Sequence, residues 1–457
     1  MAKKIVVLGA GISGLAAAYW LKKEGLEVIV LEKNPEAGGA MISSHENGYM
    51  VDYGPNSGLE TTPLISQLVE EVGLKGQMIY ANEEGNRRYI LRDGELHALP
   101  MSPPAFIKTK LFSTGAKLRL FAEPFIGRSE DGYYQSISQF VSRRLGQEFL
   151  DYAINPFVAG VYAGNPDELS VKSAFPKLYR LEEKYGGLIK GMIKGAKERK
   201  QRNEESKQSA KMFSFTDGMQ TFPKAIAGNL GERVIFNAEV KKIKRSGGCY
   251  IINYSQNGSE KFIETEVIIS TLPAHIACYL FEEFDDKLYG HLKSLYYPPV
   301  KVLYLGYEKS SIGRPLDGFG FLIPQKEKKS FLGAIWSSVI FKNRAPEGIA
   351  AFTLFIGGAR SPELFEVDEK QLNQKVLSEF HEIMKISKPP VFKAERMWPK
   401  AIPQYNIGYI EHERYFDQFE EAHKGIILSG NFRGGISVGD CVKNSEAVYK
   451  KALALLS

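Results

Sequence analysis

The feature that most constrains this chain is a glycine string caught between a strand and a helix. Lys3–Leu8 reads as a continuous apolar strand. It runs into Gly9-Ala10-Gly11-Ile12-Ser13-Gly14, and Ile12–Lys23 then has helical spacing. A second strand, Glu27–Leu31, ends at Glu32, 18 residues past Gly14. The first glycine suits a tight turn, the second a close approach of backbone to phosphate, and the third close packing of helix on strand. The N–H groups at the start of that helix would face an anion, and the Glu32 carboxylate would take ribose hydroxyls. A dinucleotide is therefore expected across Gly9, Ala10, Gly11, Ile12, Ser13, Gly14 and Glu32. This string alone leaves NAD and FAD both open.

Two further glycine segments favour FAD. Gly38-Gly39 follows Glu32 closely. Gly425–Ser429 reads as a short strand, and Gly430-Asn431 and Gly434-Gly435-Ile436-Ser437-Val438-Gly439-Asp440 then lead into a terminal helix. A flavin is long, so its ring needs a second helix N-terminus to stabilise the negative edge of the reduced form.

With 457 residues the chain exceeds one ordinary core. Hydrophobic content of 44% and charged content of 25% fit a folded protein rather than a disordered one. No apolar run approaches the roughly 18–20 residues of a membrane span, and the apolar start is too short for a signal peptide. The cytoplasm, or a peripheral position on the inner face of the cell membrane, is the expected location. Cys249, Cys278 and Cys441 lie too far apart for a disulfide framework or a metal motif, and no metal is expected. The net charge of +6 fits an anionic ligand, an acidic membrane or an ordinary basic surface equally.

Helices are predicted over Leu64–Val72, Gln139–Leu150, Ser173–Ile193 and Leu372–Met384, and Lys197–Lys211 reads as an exposed loop or frayed helix end. Strands are predicted over Val234–Phe236, Cys249–Tyr254, Lys261–Thr271, Val300–Tyr307, Ser330–Ser337 and Ala350–Ile356. Between Leu99 and Gly127, prolines alternate with large apolar residues and bases. That pattern fits either a membrane-interface surface or a helical subdomain with its own core.

Beyond these readings, the chain resembles the amine-oxidase-like flavoproteins, and within them the protoporphyrinogen oxidases. The resemblance rests on Asp52-Tyr53-Gly54-Pro55-Asn56-Ser57, on Asn155–Asn165, and on Ser173-Ala174-Phe175-Pro176-Lys177. Tyr297-Pro298-Pro299-Val300, Phe341–Pro346, Ile356-Gly357-Gly358-Ala359 and Trp398–Tyr405 follow in the same order. One departure is Ala40, where many relatives in the wider superfamily place an arginine after the double glycine. The resemblance implies an α/β fold: a discontinuous Rossmann-like FAD-binding domain (1–85, 208–285 and 395–457), an α+β substrate domain (86–98 and 286–394), and an inserted mainly helical, membrane-associating domain (99–207). It adds Lys33, Gly39, Ala40, Gly54, Pro55, Asn56, Ser57, Val240, Trp398, Asn431, Ile436, Ser437 and Val438 to the flavin contacts. On the substrate side it implies Arg88 for a propionate, with Arg87 as a rival. Leu322, Leu332 and Phe355 form an apolar sandwich, and Gly164 stands where a side chain would crowd the ring.

The implied reaction oxidises protoporphyrinogen IX to protoporphyrin IX by successive hydride transfers to FAD, with O₂ as acceptor. Coproporphyrinogen III is the nearest alternative substrate; an amine oxidase or carotenoid desaturase is more distant. No strong protein base is expected, and the histidines form no catalytic cluster. His97 and Lys301 read as structural or solvent-facing residues, and Cys441 is a weak candidate for a covalent flavin link. Expected partners are the porphyrinogen and O₂. A membrane surface, a second copy of the chain and a chelatase receiving the product are further candidates, and nucleic acid is not among them.

Overall fold

The computed structural model describes residues 4–82, 85, 87–201 and 210–456. Lys3 and positions 202–209 of the charged stretch lie outside the described residues. Ile5, Val6, Val7 and Leu8 are wholly buried because their strand, Lys4–Leu8, is central in a parallel sheet. The order is Val234–Ile235, Glu27–Leu31, Lys4–Leu8, Val267–Ser270 and Ile426–Leu428. A parallel sheet covered on both faces needs apolar residues at every position, which explains the unbroken runs. One face packs on the helices Ile12–Lys23, Thr221–Leu230 and Val438–Leu456. The other packs on Ala274–Phe281, Asp286–Lys293 and Tyr409–Ala422.

A second, seven-stranded sheet runs in the order Phe392–Trp398, Val300–Glu308, Ile349–Gly357, Gly333–Ile335, Gly318–Leu322, Arg87–Arg92 and Glu95–Ala98. Leu303, Leu305, Phe352 and Leu354 point to one face and pack under the helix Glu369–Met384. The opposite face, carrying Tyr304, Thr353, Ile335 and Leu322, is left for the site described below. Two expected boundaries shift. Phe392–Trp398 pairs along its length with Val300–Gly306, so 394/395 falls inside a strand. Leu288 and Leu292 of Asp286–Lys293 belong to the core of the nucleotide sheet, so that unit continues past 285.

Several predicted elements divide where the backbone requires it. Gly146, at φ +93°, ends the helix Ile137–Leu145 within the expected 139–150 span. Pro176 and the left-handed Gly186 cut Ser173–Ile193 into Val171–Ala174, Pro176–Tyr185 and Leu188–Gln201. Lys261–Thr271 is two strands in different sheets, since Thr265 pairs with Tyr250 while Val267 pairs with Ile5. Ser330–Ser337 forms a strand only at Gly333–Ile335.

The helical insertion has its own ionic core. Arg144, fully buried, donates to Glu123 (2.7 Å) and to Glu182, and Glu123 also accepts from the backbone of Leu188 and Ile189. On its outside Met101, Ile107, Leu118, Phe121 and Phe125 are exposed, Phe125 to 90%. Among the described residues no helix is long and apolar enough to cross a membrane.

Candidate active site

The nucleotide end is built from backbone. The helix Ile12–Lys23 starts after Gly11 with no side-chain cap, so its first N–H groups are free for an anion. A Cβ on Gly14 would overlap the Gly9 carbonyl and lie 2.6 Å from Thr271 Oγ1, so helix and strand meet only through glycine. Glu32 is buried; its carboxylate accepts from Ala10 N (2.7 Å) and Asn34 N (2.9 Å) and so stands across the strand end from the glycine turn. Val240 lies two residues past Ala238, whose N–H donates to the Glu32 carbonyl (2.8 Å), which puts its strand beside this end. Lys33 is exposed there. Burial, together with the charges of Lys400 and Lys33, pushes the nearby His275 down to about 4.

Gly38 N donates to Ala10 O (3.0 Å), which lays Gly38–Ala40 against the first turn. A Cβ on Gly54 would overlap the Ala40 carbonyl, so the loop Gly54-Pro55-Asn56-Ser57 rests directly on that segment. Ala40 supplies no cation beside the open helix end. Trp398 Nε1 donates to Tyr53 O (2.7 Å), tying the last strand of the second sheet to the same loop. Asn56 Nδ2 donates to Asp52 O (3.0 Å), while Asn56 Oδ1 is buried without a partner.

The C-terminal half meets this end from the side. The helices Ile12–Lys23 and Val438–Leu456 pack together, with Trp20 Nε1 donating to Ser445 Oγ (3.2 Å). Asn431, Ile436, Ser437 and Val438 lie on the turn that enters the second helix. Ser437 Oγ accepts from Asp440 N (3.1 Å) and caps it. Cys441 is buried, and burial lifts its thiol to about 11. An un-ionised, enclosed thiol is a poor nucleophile, which weighs against the covalent link. An uncapped helix start, a glycine cradle and an orphaned acceptor on the facing loop fit a flavin dinucleotide.

The free face of the second sheet closes the site. Across its strands, Arg88, Gly320, Ile335, Thr353 and Tyr304 form one row. Ile90, Leu322, Gly333, Phe355 and Val302 form the next. Tyr304, Ile335, Thr353 and Phe319 line a cleft whose other wall is Asn56 and Ser57 of the flavin loop. Arg88 lies over the Phe319 ring at 5.5 Å and has no carboxylate partner among the described residues. Arg87 points to the other face and pairs with Asp317 (2.5 Å).

Other expected residues sit differently. Leu332 is 5% exposed and packs with Ala159, Ala163 and Val300, inside the protein core. Gly164 is buried, and a Cβ there would meet Gln404 Oε1 at 2.7 Å and Leu169 Cδ1 at 2.8 Å, so the protein itself imposes that glycine. Gly160, one helical turn earlier, is exposed, and a Cβ on it would meet Leu322 Cδ2 at 2.8 Å. Lys301 is neither solvent-facing nor near the cleft. It is buried on the helix side, paired with Glu369 (2.6 Å) and Glu395 (3.1 Å). His97 stands on the edge strand opposite Ile90.

The sequence pattern of the flavin containing amine oxidoreductases matches residues 12–446. Protoporphyrinogen oxidase 2, chloroplastic/mitochondrial, of Arabidopsis thaliana is 34% identical over 96% of this chain and 92% of that protein. Coproporphyrinogen III oxidase of Bacillus subtilis is 28% identical over 99% of this chain and 98% of its own length. Among solved structures, reduced UDP-galactopyranose mutase shares the fold with a TM-score of 0.76 at 18% identity, covering 100% of this chain and 94% of that one.

Proposed function

The chain belongs to the flavin containing amine oxidoreductases, and from that premise we propose that this FAD-dependent oxidoreductase converts protoporphyrinogen IX to protoporphyrin IX. The observation that carries the proposal is Arg88: a cation with no carboxylate partner among the described residues, held over Phe319 beside a narrow cleft that Phe319 and Ile335 line on one side and Asn56 and Ser57 on the other. A porphyrinogen is a large puckered apolar body with carboxylates on one edge. It suits an apolar slot with a cation at its rim.

Bound FAD would supply the two-electron acceptor for each step, with O₂ as the proposed final acceptor. The chain's own residues orient and enclose. Arg88 holds a propionate, which fixes the macrocycle in register with the flavin loop. Ile335, Thr353 and Tyr304, with Leu322 and Phe355 in the neighbouring row, form the apolar bed. The substrate loses its own N–H proton as the meso carbon gives up hydride, so no strong base is called for. Flavin contacts through Gly9–Gly14, Glu32, Lys33, Gly39–Ala40, Gly54–Ser57, Val240, Trp398 and Asn431–Val438 belong to the same proposal. So do the three-part domain division, adjusted at its two shifted boundaries, and docking of the exposed apolar face of the insertion on a membrane.

Higher identity to protoporphyrinogen oxidases than to coproporphyrinogen III oxidases, 34% against 28%, favours the substrate with two propionates. The test is porphyrin fluorescence developed in parallel from the two porphyrinogens. Faster turnover of protoporphyrinogen is expected. Faster turnover of coproporphyrinogen would replace the substrate while keeping the chemistry, and fluorescence from neither would overturn the proposal.

A further inference from the structure

Two tyrosines outside every nucleotide motif hold the segment that approaches the flavin ring. Tyr405 is 3% exposed, and its hydroxyl donates to Asn431 O (2.8 Å) while accepting from Gly435 N (3.0 Å). One phenol thus bridges both ends of the turn Asn431–Gly435. Tyr409, 2% exposed, stacks on it with ring centroids 4.3 Å apart, and its own hydroxyl donates to Phe432 O. The turn needs such support. Gly430, Gly434 and Gly435 all have positive φ, so its backbone has little intrinsic preference for this shape. Asn444, donating to Arg433 O (3.1 Å), braces it from the terminal helix.

The other side of Tyr405 faces the end of a neighbouring helix. Its ring meets Tyr162 edge-on at 6.0 Å, and the adjacent Gln404 donates to Tyr162 O (2.9 Å). Tyr162 ends the helix Asn155–Tyr162, whose Gly160 faces Leu322. One buried side chain therefore stands between the helix Asn155–Tyr162 and the turn that carries Asn431.

We propose that Tyr405, backed by Tyr409, is a positioning residue that sets the flavin-end turn Asn431–Gly435 against the helix Asn155–Tyr162. The proposal rests on the reading of that turn as a flavin contact. Burial keeps the Tyr405 phenol protonated at any working pH, so its donor to Asn431 O is permanent. Removing the hydroxyl takes the partner from the half-buried Asn431 carbonyl and Gly435 N–H, and the glycine-rich turn relaxes.

The test compares Tyr405→Phe with the parent and with Tyr415→Phe, whose lost hydroxyl bonds Asp285 away from the turn. FAD is titrated into each apoprotein and followed by quenching of flavin fluorescence. Tyr405→Phe should weaken FAD binding about tenfold, alter the shape of the bound flavin's visible band, and lower kcat with KM for protoporphyrinogen little changed. Tyr415→Phe should match the parent. A folded Tyr405→Phe with parental FAD affinity and spectrum overturns the proposal. Should Tyr405→Phe fail to fold, amide exchange at Gly435 in the parent apoprotein decides: protection like that of the terminal helix supports the role, and loop-like exchange overturns it. A parent that takes up no FAD would sink the flavin reading and is seen separately from either result.

Discussion

Arg87 and Arg88 are neighbours in the chain with opposite circumstances. Strand alternation sends Arg87 to Asp317 and Arg88 to the cleft rim. An arginine already neutralised by a carboxylate gives little to a second anion, while one held only by an aromatic ring keeps its charge for substrate. Arg88→Ala should therefore raise KM for protoporphyrinogen about tenfold with kcat changed much less, as expected where binding is lost equally from ground and transition states. Arg87→Ala should leave KM near the parent. Steady-state kinetics of both variants check the pair, and equal effects would remove Arg88 from its role. The same alternation explains what the residues concealed. Leu332 looks like any strand residue, yet it packs with Ala159, Ala163 and Val300 while Ile335 lines the cleft. Gly164 and Gly160 are indistinguishable as letters, and only the positions of Gln404 and Leu322 tell them apart. Arg88 was singled out by the family resemblance alone, since its strand Arg87–Arg92 holds three arginines that no local pattern separates.

The pairing of elements decides how the site responds to pH. The helices Asp286–Lys293 and Tyr409–Ala422 cross with His291 Nδ1 and His412 Nδ1 at 2.9 Å, a contact that one shared proton satisfies and two protons would break. Burial first, and then the His291 charge, holds His412 down to about 4. A histidine depressed in the folded state is protonated more readily in the unfolded chain, so stability is lost as pH falls from the ordinary value of about 6.5 towards 4. Thermal melts should show Tm declining across that window. His412→Gln should make the decline shallower without abolishing it, because His275 is depressed in the same direction. An unchanged slope would show that His412 titrates freely. The opening strand–helix–strand was legible because periodicity and glycine spacing agree there, and both helix starts at the flavin were readable for the same reason. The broken helices of the insertion were not. Amphipathic spacing runs on across Gly146 and Gly186, and only backbone φ reveals the turn.

At the scale of the molecule, the nucleotide sheet draws strands from the beginning, middle and end of the chain. The loop Gly54–Ser57 and the second sheet meet around one cleft. The order of the motifs conveyed that interleaving; the exact seams, such as the strand running through Trp398, depend on hydrogen-bond register that no local pattern encodes. The insertion carries Met101, Ile107, Leu118, Phe121 and Phe125 outward, with the exposed Lys108 and Lys110 among them. Such a face suits the interface of an anionic bilayer. The protein should co-sediment with anionic liposomes, and Phe121→Ser with Phe125→Ser should release it; recovery of the parent in the supernatant would leave the insertion as a helical subdomain alone. The central claim, that one cleft joins a flavin to a porphyrinogen, is tested most directly by mixing the FAD-loaded protein with protoporphyrinogen under anaerobic conditions. The account predicts that the flavin's visible absorption bleaches as porphyrin fluorescence grows, both at one rate. A flavin that stays oxidised while porphyrinogen is in excess would contradict it.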